Sequence, residues 1–328
     1  MSVLILAEQR NGLIHPTTYE LLARGRLLAD RLGSEVCCVV IGCDSGDAPQ
    51  EIIFHGADVV YIIHEPGVVW SLPGPQSRAL QRVIEDIRPE VVIAAATTTG
   101  RTIMPLVAAR LRTGLTADCT ELDIDDEERL LLQTRPAIGG NIMATIKTPL
   151  CKPQMATVRP KSYRPLPRDA SRHGRVVDMA IPACSVDFGN EKLIELVEDT
   201  TQEVNVQDAD IVVAGGKGVK SRDGFRLVEE FAQLLDAGVG ATRDVVDLGW
   251  TSYPHQIGLS GKTVSPRIYI AVGISGSVQH LAGMQTAETI VAINKDSDAQ
   301  IFKVADFGIV GDLFDIVPDI MSRLRARR

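Results

Sequence analysis

QIGLSGKTVSPRIYIAVGISGSVQHLAGM, running from Gln256 to Met284, decides how this chain is read. Its middle, PRIYIAVG, is apolar enough to be a buried strand, and both flanks are rich in Gly, Ser and amide side chains. Glycine lets backbone N–H groups approach a ligand, and a helix N-terminus leaves N–H groups without intrahelical partners. Two such loops around one strand suit a long, mostly neutral ligand that carries phosphates. The second loop also sets Gln279 and His280 just inside the following helix, where a heteroaromatic ring could meet them.

Strands and helices alternate outward from this stretch. Before it come the strand ADIVVAGGKG, a helix over 223–238 and the turn GATRDVVDLGW. After it come a helix over SVQHLAGM, the strands TIVAINKD and IFKVADFG, and a last helix from Gly311 to Arg325. The N-terminal half repeats the theme, with strands at 3–7, 35–42, 57–64 and 91–97. Its helices fall at 16–33, around 76–87, and at 100–114, the last containing a proline. Pro16 near the start and Gly33 past the end bracket the first helix. This alternation predicts an α/β protein with two domains. An N-terminal α/β domain with a mostly parallel sheet covers 1–200, and a C-terminal open α/β domain covers 206–328, with a short polar linker near 200–206. Between Leu122 and Ile146 the acidic DDEE reads as a solvated turn between two strands. From Lys147 to Arg175 the chain is basic and Pro-rich: Lys147, Lys152, Arg159, Lys161, Arg164, Arg168, Arg172 and Arg175 face one acid, Asp169. That segment reads either as an exposed edge strand and connector or as a surface that meets a partner subunit.

Composition narrows the function. The chain has 328 residues, 45% hydrophobic but only 4% aromatic, which suits an α/β core of Val, Ile, Leu and Ala. A net charge of −8 argues against a nucleic-acid binder. No apolar run reaches the roughly 18 residues of a membrane span. The opening MSVLILAEQRNG lacks a basic n-region and reads as a first strand, so the expected location is the cytoplasm. The cysteines are Cys37, Cys38, Cys43, Cys119, Cys151 and Cys184, with no CxxC pair and no zinc-type spacing to histidine. They read as reduced thiols.

The phosphate-holding motifs are irregular. AGGKGVKS has only the beginning of a GxGxxG fingerprint. GKT at 261–263 imitates a Walker ending, but that motif needs glycine at position 256, which is Gln. Several short glycine turns therefore replace one long loop.

The wording closely resembles the α subunit of electron transfer flavoproteins. The resemblance rests on the 256–284 stretch and on GGKGVKS (215–221), GVGATRDVVDLGW (238–250), TIVAINKD (289–296) and VADFGIVGDLFDIVP (304–318). It is looser in the first 200 residues, through VLILAE and TRPAIGGNIMATI (134–146). It implies FAD as cofactor in the C-terminal domain and no catalytic acid, base or nucleophile. Lys217 stands where the family usually has an Arg contacting FAD; it keeps the charge but loses the bidentate fork. Thr242 caps a helix from which Arg243 lies over the flavin ring, where a cation favours the reduced, anionic forms. Gln256, Ile257, Gly258, Leu259 and Ser260 form the first flank, with the Ser260 hydroxyl donating to flavin N5 and Leu259 replacing a Gln of some members. Ser275, Gly276, Ser277, Val278, Gln279 and His280 form the second, with His280 near flavin O2. Asn294, Asp312 and Leu313 fall at the adenosine end. The implied partners are a β subunit, in a heterodimer holding AMP or a second FAD, and an acyl-CoA dehydrogenase or similar flavoenzyme. QIGLSGKTVSP, with Leu259, resembles the wording of α subunits from anaerobes, which points toward an electron-bifurcating, NADH-linked system. Two alternatives stay open: an NAD-dependent enzyme of deoxyhypusine-synthase-like or sirtuin-like fold, and a nucleotide-binding module without redox chemistry.

Overall fold

The computed structural model describes residues 2–10, 13–42, 46–64, 72–137, 142–179, 194 and 206–327. The chain divides into two compact units, Met1–Leu196 and Val197–Arg328. The linker expected near 200–206 and most of the 191–210 stretch lie outside the described residues.

The first unit runs β1 (Ser2–Leu6), β2 (Gln9–Arg10), β3 (Leu13–Ile14), α1 (Pro16–Leu32), β4 (Glu35–Ile41), α2 (Ala48–Phe54), β5 (Val59–Ile63), α3 (Pro73–Ile87), β6 (Val91–Ala95) and α4 (Thr98–Leu111). It continues with β7 (Leu115–Cys119), β8 (Glu121–Ile124), β9 (Leu131–Ala137), β10 (Ile142–Ile146), β11 (Gln154–Val158) and β12 (Arg175–Asp178). One sheet has the order β12-β5-β4-β1-β6-β11-β7, and every pair in it is parallel. Its central strands β1, β4 and β6 are almost wholly apolar because both faces are covered, whereas the edge strand β12 is exposed. Val3 and Ile5 of β1 enter one core cluster, while Leu4 and Leu6 enter the other. The start of α1 is as read: His15 accepts from the Thr17 N–H and Pro16 opens the helix. Gly33 ends it at φ 63, a left-handed conformation that costs glycine little.

β10, β9 and β8 form a separate antiparallel sheet, in which the DDEE segment is the turn between β8 and β9. The Asp125 carboxylate accepts from the N–H groups of Glu127 and Glu128 and pairs with Lys147 at 2.8 Å. The basic segment departs in part from the reading of it as an exposed edge strand and connector. Part of it, β11, is no edge strand: it is fully buried between β6 and β7. Only β12 lies at an edge. Much of the positive charge is met inside the unit: Lys147 by Asp125 and Glu128, Lys152 by Glu90, Arg159 by Asp118, Arg168 by Glu51 and Arg175 by Glu35.

The second unit runs β13 (Ile211–Gly215), α5 (Arg222–Leu235), β14 (Gly238–Ala241), α6 (Arg243–Asp247), β15 (Ile268–Val272), α7 (Val278–Leu281), β16 (Thr289–Asn294), β17 (Phe307–Val310) and α8 (Leu313–Arg327). Its sheet, β14-β13-β15-β16-β17, is parallel throughout. From β13 the chain first moves outward to β14, then crosses back to lay β15 on the other side. The crevice between the carboxyl ends of β13 and β15 is therefore the topological switch point, where open α/β sheets hold ligands. Two elements differ from the sequence reading. IFKVADFG is not one strand: Gln300–Lys303 is a 3₁₀ turn, and only Phe307–Val310 is extended. The helix over SVQHLAGM shortens to four residues, Val278–Leu281, followed by turns, so little macrodipole stands behind the second flank.

Candidate functional site

A crevice of about 790 Å³ opens at this switch point, at the upper end of ordinary ligand cavities. Its floor depends on glycine. Gly216 donates to the Val272 carbonyl at 2.9 Å and Gly218 to that of Gly273 at 3.0 Å. A Cβ on Gly216 would sit 2.4 Å from the Gly273 oxygen, so the β13 and β15 loops could not meet with a side chain there.

The two flanks of β15 are brought together as the sequence predicts. Ile257 donates to the Ala241 carbonyl at 2.9 Å, and Leu259 donates to that of Gln279 at 2.8 Å. Gly258 stands at φ 142, and a Cβ there would lie 2.9 Å from the Gln279 oxygen. Gln256 does not line the crevice; it is buried, and its Nε2 donates to Ser260 Oγ at 3.1 Å. A hydroxyl has one hydrogen and two acceptor sites. With an acceptor site taken by Gln256, the Ser260 hydrogen is left to be donated elsewhere. Tyr253 braces the same turn by donating to the Ser260 carbonyl.

Lys217, Thr242, Arg243, Ile257, Gly258, Leu259, Ser260, Ser275, Gly276, Ser277, Gln279, His280 and Asn294 all border the crevice. Four predicted residues do not. Gln256 acts from behind, and Val278 is 68% exposed on α7. The Asp312 carboxylate accepts from the Phe314 N–H at the start of α8. Leu313 is buried against Gly273. Asn294 reaches the crevice, but its side chain is engaged: Nδ2 donates to the Ile274 carbonyl at 2.8 Å, and Oδ1 accepts from the Asp296 N–H. Six lining residues escape the sequence reading of the site: Gly216, Gly218, Asp244, Gly273, Ile274 and Asp296. All six stand inside the motifs that carry the resemblance, Asp244 next to Arg243 and Asp296 two residues after Asn294.

Charge is distributed unevenly around the crevice. Lys217 has no carboxylate partner among the described residues, whereas Arg243 lies 3.2 Å from Asp247, both of them exposed. The backbone N–H groups of Ser275, Gly276 and Ser277 have no acceptor among the described residues. Consecutive unpaired donors beside a lysine form a concavity suited to an anion.

The sequence places the His280 ring against a ligand, but the structure commits both of its nitrogens to the protein. Nδ1 lies 3.1 Å from the Ile257 carbonyl and Nε2 lies 2.9 Å from the Tyr269 hydroxyl. Burial pushes the ring's pKa down to about 4 against one opposing bond to Ile257, so it is neutral at physiological pH. His280 therefore offers the crevice no charge and no spare N–H. Among the described residues no group of His, Cys, Asp and Glu could hold a metal ion. Cys37, Cys38, Cys119 and Cys151 are free thiols.

Comparison with known proteins agrees with this architecture. Residues 3–183 match the electron transfer flavoprotein domain, and residues 205–285 match the electron transfer flavoprotein FAD-binding domain. The chain is 46% identical to the electron transfer flavoprotein subunit alpha of Thermoanaerobacterium thermosaccharolyticum, over 98% of this chain and 97% of that one. It is 42% identical to the corresponding subunit of Megasphaera elsdenii, over 99% and 97%. The chain belongs to the electron transfer flavoprotein α-subunit family. It is also 39% identical to the lactate dehydrogenase (NAD(+),ferredoxin) subunit LctC of Acetobacterium woodii, over 98% of this chain and 76% of that one. The cofactor is FAD and the function is electron transfer. The NAD-dependent-enzyme and non-redox alternatives are not favoured. Membership in a family of α subunits implies a β-subunit partner. No helix among the described residues is long and apolar enough to cross a membrane.

Proposed function

We propose that the crevice between β13 and β15 is the seat of the FAD. The observation that carries this is the run of unpaired backbone donors at Ser275–Ser277 beside unpartnered Lys217, at the switch point of a parallel sheet. Those groups fit the pyrophosphate. Arg243, Ile257, Gly258, Leu259 and Ser260 border the flavin ring, and Asn294 and Asp296 the adenosine end. When bound, FAD supplies one- and two-electron chemistry. The protein holds and tunes it. Ser260 presents a hydroxyl hydrogen whose direction Gln256 sets. Arg243 adds a positive charge that Asp247 partly offsets. The buried face of Ile257 and the Gly258 turn keep water from that side. The N-terminal unit supports the heterodimer with the β subunit in the cytoplasm, and the electron donor is an acyl-CoA dehydrogenase or a similar flavoenzyme. A relative from Anaerotignum propionicum, the acryloyl-CoA reductase electron transfer subunit beta, is 38% identical over 98% of this chain and favours a partner that handles acyl-CoA substrates.

A second reading extends the first. The likeness to the Acetobacterium subunit and the Leu259 wording favour an electron-bifurcating, NADH-linked system with a second flavin in the β subunit. Acid precipitation of the purified heterodimer tests both readings. The expected result is FAD released entirely into the supernatant, two per heterodimer, with reduction by NADH. One FAD with one AMP and no NADH oxidation rules out bifurcation. Release of NAD, or of no flavin, overturns the FAD seat itself.

A further inference from the structure

We infer that Tyr269, which does not line the crevice, is a positioning residue of the electron-transfer site: its hydroxyl donates to His280 Nε2, completes the tautomer that the Ile257 carbonyl requires and, by holding the ring, anchors the loop from Gln256 to Ser260. The inference rests on the reading of that crevice as the FAD seat.

Hydrogen-bond inventory alone fixes the arrangement. The Ile257 carbonyl can only accept, so the His280 Nδ1 facing it at 3.1 Å carries the hydrogen. In a neutral ring Nε2 is then an acceptor. The Tyr269 hydroxyl at 2.9 Å therefore donates to it. The opposite assignment would set two acceptors against each other at Ile257 and leave the phenol hydrogen without a partner. Tyr269 is fully buried, among Val212, Ala214, Ala271 and Ile290, where no other group relieves that hydrogen. An unpaired buried donor costs more than an ordinary hydrogen bond gains.

This chain of bonds ends on the loop that matters. The Ile257 N–H is held by the Ala241 carbonyl and its C=O by His280, so this residue is pinned on both sides. The next residue, Gly258, adopts a φ of 142 that side chains avoid, and Leu259 hangs on the Gln279 carbonyl. Ser260 follows directly, oriented by Gln256. Removing the Tyr269 hydroxyl leaves Nε2 unpartnered. The ring keeps Nδ1 as its donor to Ile257 but is then held from one side only, so the support under the Ile257 carbonyl loosens.

The test uses the heterodimer co-expressed with its β subunit and labelled with ¹⁵N-histidine, with His280→Gln to assign the resonance. In the wild-type protein at pH 7, His280 should show a protonated Nδ1 and an acceptor-type Nε2. Tyr269→Phe keeps the aromatic ring and its packing; Nδ1 should stay protonated while the Nε2 resonance moves to that of an acceptor without a hydrogen bond, and the dissociation constant for FAD should rise about tenfold, the scale of one lost buried hydrogen bond. A protonated Nε2 in the wild-type protein overturns the inference without any variant, so a Phe protein that fails to fold does not protect it. An unchanged spectrum and unchanged affinity in Tyr269→Phe also overturn it. A wild-type heterodimer with no flavin in its acid extract overturns the FAD seat instead, while the tautomer remains measurable.

Discussion

Acidification should weaken the C-terminal unit through one residue, and His280→Gln should remove that share of the loss. Burial pushes the His280 imidazole down to about 4 from its ordinary value of 6.5. Between those values the unfolded chain holds a proton that the folded chain lacks. Stability therefore falls as pH drops through this window, and this contribution is complete above it. A shift of this size corresponds to about 3 kcal/mol once pH is below both values, and to about 2 kcal/mol between pH 8 and pH 5. Against the roughly 5–15 kcal/mol that holds a domain together, that is a large fraction. The assay is urea denaturation of flavin-free protein at both pH values, because bound ligand would add its own linkage. Trp250 packs against the core of this unit and reports on it once Trp70→Phe has removed the chain's other tryptophan. With a urea slope of about 2 kcal/mol/M, the histidine share is a midpoint shift of roughly 1 M. His280→Gln is neutral at every pH. It should be less stable at pH 8, having lost its bonds to Tyr269 and Ile257, yet lose about 2 kcal/mol less on acidification. Equal acid losses in the two proteins would refute the buried neutral histidine.

Three further outcomes follow from the same structure. Burial raises the Glu20 carboxyl to about 7, partly opposed by the Lys161 N–H, so the folded N-terminal unit keeps a proton that the unfolded chain loses above 4.5. That contribution is present below 4.5 and lost as pH rises through 7; after discounting for partial exposure, Glu20→Gln should gain about 1–2 kcal/mol at pH 8 and nothing at pH 4.5, as thermal unfolding at the two pH values would show. Gly216→Ala places a Cβ 2.4 Å from the Gly273 oxygen; overpacking of this kind costs about 1–3 kcal/mol, and FAD content per purified heterodimer should drop. Arg243→Ala should lower the flavin potential in a spectroelectrochemical titration by no more than roughly 60 mV, since Asp247 already offsets the guanidinium; unchanged potentials would remove Arg243 from the ring.

What could be read from the sequence, and what could not, divides along physical lines. Strands covered on both faces carry nearly unbroken apolar runs, so β1, β4 and β6 stand out without any structure. Glycine turns are visible because no other residue tolerates the close approach of Gly216 to Gly273 or the φ of Gly258. Sheet order is another matter. β11 lies within a basic, proline-broken segment and still enters the sheet between β6 and β7, because strand position is set by where a crossover can pack. IFKVADFG alternates well enough for a strand, yet Ile301 is buried from a 3₁₀ turn, so burial did not imply extension. Pairings between side chains on different elements were the least legible. The sequence shows His280 and Tyr269 eleven positions apart, one on a helix and one on a strand, with nothing to say that they meet. A histidine in a ligand loop invites a ligand contact. Whether its nitrogens are free depends on which buried hydroxyl or carbonyl lies within 3 Å, and that distance is a property of packing. The same reasoning applies to Asn294, whose amide is consumed by the Ile274 carbonyl and the Asp296 N–H. Backbone requirements of a site are thus written locally, in glycine, while the charge and proton state of its side chains depend on neighbours that the fold brings in from elsewhere.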